Sequence, residues 1–169
     1  RLSLVGSEMC IRDSSSLDSK NAVAGTAVLD LYAGTGALGL EALSRGASST
    51  ILVESNKQAA AVCIKNARLI QDGLAEEDHE VRAKVQIQPV QKFLDSNSQV
   101  FDLVFIDPPY EISNQEVEKN LQSLLGSLSK DALVLVERSA RAEAIATEGY
   151  ELLETKSFGD TAIYWLKPN

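Results

Sequence analysis

An alternating α/β fold is what this chain predicts: one sheet of seven strands clad in helices, mostly parallel, closed by an antiparallel last strand. Three observations predict it. From residue 27 onward, short strand-like runs alternate with stretches of helical periodicity and short polar breaks, the pattern of a parallel sheet covered on both faces. The last two runs are joined only by "FGD", too short for a parallel crossover, so they must form a hairpin. The 169 residues, 44% of them hydrophobic, suffice for a single domain around one sizeable core.

In order along the chain, "RLSLVGSEMCIRDS" (1–14) has neither helical nor alternating periodicity, and it holds the only methionine, Met9, although the chain starts at Arg1. It resembles the translated adapter reads that contaminate gene predictions. We expect a foreign or disordered tail there, with the native start absent and residues 15–169 forming the domain; a genuine flexible tail is the alternative. Strands are predicted at "AVLDLYA" (27–33), "STILVES" (49–55), "KVQIQ" (84–88), "FDLVFID" (101–107), "ALVLVER" (132–138), "YELLETKS" (150–157) and "TAIYWLKP" (161–168), with helices filling the intervals. "GALGLEALSRG" carries Leu38, Ala42 and Arg45 at helical spacing and stops at Gly46. "NKQAAAVCIKNARLIQ" has Asn56 as its cap and Ala60, Ile64, Ala67 and Ile70 along one face. The polar, acidic "QDGLAEEDHEVRA" reads as a solvated connection rather than a domain boundary.

Composition excludes several classes. No apolar run approaches the roughly 20 residues of a membrane span and no basic-then-apolar leader is present, so a soluble, cytoplasmic protein is expected. Cys10 and Cys63 lie far apart without a CxxC, and His79 is the only histidine, so neither a zinc site nor a disulfide framework is indicated; Cys63 reads as a reduced core residue. The net charge of −8 argues against broad adhesion to nucleic acid, although local clusters of Lys and Arg can still make a positive field.

The chemistry concentrates at two strand ends. "LDLYAGTGALG" places Gly34 and Gly36 directly after the first strand and at the mouth of the first helix, where glycine allows a sharp turn and close approach of a ligand. With Gly39 the spacing is GxGxxG, a weak pattern alone. Here it follows a strand, opens a helix and is trailed by Glu54, 20 residues on, placed to accept ribose hydroxyl hydrogen bonds. A dinucleotide and S-adenosylmethionine both fit this Rossmann-like arrangement. Asp30 favours the second, because a carboxylate near the ligand's middle is repelled by a pyrophosphate and attracted by the ammonium of a methionine moiety.

The second strand end is "FDLVFIDPPYE". Pro108 and Pro109 fix φ and donate no N–H, so the loop is stiff and offers carbonyl acceptors. Asp107 and a neighbouring carbonyl can accept the two hydrogens of an exocyclic NH₂ while Tyr110 stacks on the attached ring. Such acceptors make a delocalised amine more nucleophilic. Positioning supplies much of the rest, and Asp107 or water takes the released proton.

With "VLDLYAGTGALGLEALSRGA", "VES", "FDLVFIDPPY" and "GDTAIYWL" in view, the chain resembles the bacterial RsmD-type guanine-N2 methyltransferases of small-subunit ribosomal RNA, from about residue 15 to the C-terminus. The resemblance implies a class I methyltransferase fold and S-adenosylmethionine as cofactor, without a metal. It implies cofactor contacts at Asp30, Tyr32, Ala33, Gly34, Thr35, Gly36, Leu38, Glu54 and Ser55, and a target guanine held by Asp107, Pro108, Pro109 and Tyr110. Its implied partner is ribosomal RNA or the assembling small subunit, met by a monomer. Two departures stand out. Relatives commonly have Asp or Asn then Ala before "FL", whereas this chain has Pro89 and Val90, so the adenine contact falls to the Val90 N–H or to Gln91. Relatives also carry a basic N-terminal segment, and without it impaired methyl transfer is the expectation for this chain. Open rivals are an amino-methyltransferase acting on DNA adenine or protein glutamine, a dinucleotide-dependent oxidoreductase, and a catalytically silent cofactor-binding module. Bland roles are expected for His79 (surface) and for Tyr164 and Trp165 (packing), while Glu137 is either near the site or a solvated strand end.

Overall fold

The structure, a computed structural model, describes residues 23–74 and 82–169. The expectations for the 1–14 tail, Cys10 and His79 lie outside these residues. Seven strands form one sheet in the order β3-β2-β1-β4-β5-β7-β6. They are β1 (Ala27–Leu31), β2 (Ser49–Val53), β3 (Ala83–Gln86), β4 (Phe101–Ile106), β5 (Leu128–Ser139), β6 (Tyr150–Phe158) and β7 (Thr161–Pro168). β1 through β5 pair in parallel, and β7 runs antiparallel to both β5 and β6, as the short final turn requires. That turn is made at Gly159, with φ of +59°, between Phe158 and Thr161.

Period-two alternation sends the strand side chains to two faces. Leu29 and Leu31 of β1, with Val104, Ile106, Val134 and Val136, pack against Val90, Phe93 and Leu94 of α3 (Val90–Ser96) and Val117, Leu121 and Leu124 of α4 (Asn114–Leu124). On the opposite face, Leu52 and Ala83 meet Leu40 and Leu43 of α1 (Ala37–Ser44) and Cys63 and Ala67 of α2 (Lys57–Gly73). Each fully buried Leu or Val contributes about 1.5–3 kcal/mol relative to exposure, so these layers supply most of the drive to fold. Asn56 caps α2 as expected, its Oδ1 accepting the Gln58 and Ala59 N–H groups at 3.0 Å each. Ser113 caps α4 by accepting the Glu116 N–H at 3.2 Å. Cys63 is a free, buried thiol that burial pushes up to about 12, which fits a core residue.

β1 and β2 end two residues earlier than expected, at Leu31 and Val53, and three further expectations need correction. β3 ends at Gln86, because Ile87 has already left the ladder and is half exposed. β5 begins at Leu128, four residues before its apolar run, since a register irregularity opposite Phe101 and Leu103 lets it start early. The interval from β5 to β6 holds no helix: residues 140–149 turn twice, through Ala142 N–H to Ser139 O and Tyr150 N–H to Thr147 O. Instead of an amphipathic helix, this segment buries Ile145, and the Tyr150 hydroxyl that follows it donates to the Leu121 carbonyl at 2.7 Å. Tyr164 and Trp165 pack against the core from β7 as expected.

Gly39 is required for packing rather than for its backbone angles. A Cβ there would meet Thr50 Oγ1 at 2.8 Å, Leu52 Cδ2 at 3.0 Å and the Asp30 Cβ at 3.1 Å, so α1 can lie this close to the sheet only without one. Gly39→Ala is therefore expected to destabilise the fold by about 1–3 kcal/mol in urea denaturation. An unchanged midpoint would show that α1 lifts off without cost.

Candidate active site

The carboxyl ends of β1, β2 and β4 meet on one rim. β1 pairs with β2 through Leu31 and Val53 and with β4 through Leu31 and Ile106, so the turns after these three strands are neighbours. Chain order reverses at β1, which makes this a topological switch point, the usual place for a ligand crevice in an open α/β sheet.

The glycine turn is built from backbone. Gly34 and Gly36 have φ of +57° and +84°, and Ala33 N–H donates to Val53 O at 2.9 Å while Gly36 N–H donates to Ala33 O at 2.7 Å. Beside Gly34 there is open space where a side chain would stand, whereas a Cβ on Gly36 would lie 2.7 Å from the Cys63 sulfur. One glycine leaves room for a visitor and the other leaves room for the core. Thr35 anchors the turn from the side, its carbonyl accepting the Asn66 amide at 3.0 Å.

Glu54 and Asp30 are both joined to this turn. Glu54 accepts the Gly34 N–H at 2.8 Å on one oxygen and the Asn56 N–H at 2.6 Å on the other, so it links the β2 tip to the glycine loop and retains lone pairs for hydroxyl donors. Ser55 beside it is exposed. Asp30 lies under the first turn of α1, 1% exposed, and accepts the Gly39 N–H at 2.9 Å. It acts as a long-range cap for a helix whose own cap position is Gly36, which has no side chain to offer. Burial pushes Asp30 up to about 7 against the opposing Gly39 bond, and the nearby Asp107 and Glu54 charges push the same way. Its carboxylate thus faces the helix start rather than open solvent.

The diproline corner sits across the switch point. Pro108 is buried, Pro109 is exposed, and Tyr110 projects with 85% of its surface free. Pro109 O accepts the Ile112 N–H at 3.0 Å, which closes the turn. Asp107 lines a cleft with Leu38, Phe105, Leu135, Glu137 and Ile163, so Leu38 and Glu137 stand beside it and Glu137 proves to be near the site. The expected adenine contacts divide. Val90 is buried and its N–H is one of the first-turn amides for which α3 has no acceptor, whereas the Gln91 side chain is engaged by Asn120, Ser123 and Asp95. Tyr32 also turns away from the cleft: its hydroxyl donates to Asn120 Oδ1 at 2.6 Å.

With this geometry in place, the chain can be set beside known proteins. A family model described as "Conserved hypothetical protein 95" matches residues 15–167. The chain belongs to this RsmD-type family. The chain is 36% identical over 109 residues to ribosomal RNA small subunit methyltransferase D of Escherichia coli, an alignment covering 64% of the chain and 51% of that protein. It therefore spans about half the length of that curated relative. A solved, provisionally assigned methylase from Haemophilus influenzae superposes with a TM-score of 0.77 at 27% identity, covering 96% of this chain and 98% of that one. A provisionally assigned methyltransferase solved in complex with SAH shares the fold at a TM-score of 0.74 and 17% identity, covering 99% of this chain and 50% of that one. The fold is that of the S-adenosylmethionine-dependent methyltransferases, and the antiparallel last strand matches it.

Sequence reasoning missed two residues that shape this RsmD-type rim. Arg138, the penultimate residue of β5, donates to Ile112 O at 2.9 Å and to Asn114 Oδ1 at 2.8 Å, which staples the exit of the diproline loop. Its place at a strand's carboxyl end was the available signal. Asn120 was legible as a polar residue on the apolar stripe of α4, between Val117 and Leu124.

Asp30 supplies a test of this electrostatic arrangement. A carboxyl whose folded value of about 7 exceeds its ordinary 3.8 is protonated more in the native state, so its contribution to stability is present below about pH 4 and is lost as pH rises toward 7. Asp30→Asn cannot ionise and is expected to gain about 1–3 kcal/mol over the parent at pH 8 relative to pH 4, read by urea unfolding at both values. A parent–variant difference independent of pH would contradict this origin of the shift.

Proposed function

We propose that this chain is an S-adenosylmethionine-dependent methyltransferase that modifies the exocyclic N2 amine of a guanine in small-subunit ribosomal RNA. One observation carries the reading: the open glycine turn after β1 and the stiff diproline corner after β4 follow paired strand ends, Leu31 beside Ile106. The residues present fit the cofactor, because the space beside Gly34 is what a Cβ would fill and Glu54, bonded to the Gly34 N–H, stands at that turn with acceptor capacity to spare. Gly34, Thr35 and Gly36 would hold the methionine moiety from the backbone, Glu54 and Ser55 the ribose, and the Val90 N–H the adenine. When bound, the cofactor supplies an electrophilic methyl group on a sulfonium.

The chain's own residues then do the positioning. Asp107 and the Pro108 carbonyl accept the hydrogens of the target amine, and Pro108 and Pro109 hold them still at little entropic cost. Tyr110 offers a π-face to a splayed-out base, as proteins commonly do with unstacked RNA bases. Asp107 is also the group that can take the amine's proton. The ribosomal substrate is supported by what the Escherichia coli relative is named for, and the cofactor by the SAH-bound neighbour.

The experiment is nucleoside mass analysis after incubation with cofactor and, in parallel, unmethylated small subunits, DNA and protein. N2-methylguanosine in the ribosomal arm supports the proposal; methyl groups only on adenine or on glutamine refute it. Asp107→Ala is expected to lower the methyl-transfer rate about a hundredfold while SAH affinity stays within about threefold. Tyr110→Ala should raise the RNA concentration needed for half-saturation about fivefold or more.

A further inference from the structure

Asn120 is fully buried on α4, at a position where the helix otherwise presents Val117, Leu121 and Leu124 to the core. A buried amide persists only if its hydrogen bonds are made. Here one partner, Tyr32, stands in the turn after β1 and the other, Gln91, in the first turn of α3. The Tyr32 hydroxyl donates to Asn120 Oδ1 at 2.6 Å, and Asn120 Nδ2 donates to Gln91 Oε1 at 3.0 Å. Gln91 Nε2 in turn donates to Asp95 Oδ1 at 2.7 Å and to Ser123 Oγ at 2.8 Å.

The direction of this relay is set from its far end. A carboxylate accepts and does not donate, so Asp95 draws the NH₂ of Gln91 and turns its carbonyl toward Asn120. Asn120 must then offer its own NH₂ to Gln91 and its carbonyl to Tyr32. The phenol is left with one option, donation. Burial pushes the Tyr32 hydroxyl up to about 12, which keeps its proton in place.

Tyr32 also carries φ of +62°, the one left-handed residue other than glycine among the described residues. Such a conformation in a bulky side chain survives only where its surroundings over-determine it. The ring packs against the core on the α3 and α4 face and its hydroxyl is fixed by Asn120, so the residue immediately before Ala33 and Gly34 is held at both ends.

We infer that Asn120 is a positioning residue for the cofactor cleft. It ties the glycine turn after β1 to the start of α3, at Pro89–Gln91, two walls that no strand pairing joins directly. The helix bearing it begins where the diproline loop ends, at the Ser113 cap. This rests on the cofactor reading above, and the test separates the two.

SAH binding is measured by calorimetry on the full chain and on Tyr32→Phe, Gln91→Met and the double variant, alongside amide hydrogen exchange of the unliganded proteins. Both single variants keep the side-chain volume nearly unchanged and cut opposite arms of the relay. Each is expected to weaken SAH binding about five- to tenfold. The double variant should be about as weak as either single, because one relay is cut twice. Gln91→Met should also speed exchange at Gly34 and Gly36, although it lies on the other wall. Affinities within twofold of the parent, losses that multiply in the double variant, or a lowered thermal midpoint with affinity intact would each overturn the inference. A parent chain that fails to bind SAH instead sinks the cofactor reading, and the exchange rates still decide the relay: unchanged exchange at Gly34 and Gly36 in Gln91→Met overturns it.

Discussion

The pairing of β1 with β4 is the constraint on which the site depends. β1 lies between β2 and β4 in the sheet, and its parallel register aligns Leu31 with Val53 on one side and Ile106 on the other. Because a slip of one residue would exchange the two faces of a strand, Leu29 and Leu31 could not then pack against α3 and α4, and Asp30 could not reach the start of α1. Burial of ordinary aliphatic side chains therefore fixes where the glycine turn, Glu54 and Asp107 stand. No residue of the site has to specify that placement itself.

Holding these groups together runs against their own charge. Asp30, Glu54 and Asp107 interact at the rim of a chain whose net charge is −8, and Asp30 is buried as well. Backbone N–H groups offset part of the cost: Gly39 for Asp30, Gly34 and Asn56 for Glu54. A cluster of acids held only by amide donors destabilises the fold. That is the familiar conflict between a working site and a stable one.

Much of this was legible in the sequence, for a definable reason. Strands β1, β2 and β4 are predominantly apolar runs of the kind that a doubly covered parallel sheet buries, and their ends are marked by glycine, acid or proline. Asn56 announced its helix, and "FGD" announced the hairpin. What could not be read depends on contacts between distant segments. The 140–149 interval contains helix-forming alanines, yet it is spent reaching from β5 to β6 while burying little beyond Ile145. Asp30 was recognisable as an acid at a strand end, but its bond to Gly39 appears only once α1 folds back over β1. Tyr32 and Gln91 were placed near the cofactor by the family resemblance, and the fold turns both side chains onto Asn120, whose one local signal is a polar side chain on the apolar stripe of α4.

The most direct measurement is a titration of isotopically labelled protein with SAH, following backbone amide resonances residue by residue. The account predicts saturable shifts concentrated at Gly34, Thr35, Gly36, Ser55 and Val90, with the β6–β7 hairpin tip unmoved. Shifts centred away from the β1 and β2 tips, or none at saturating ligand, would contradict it.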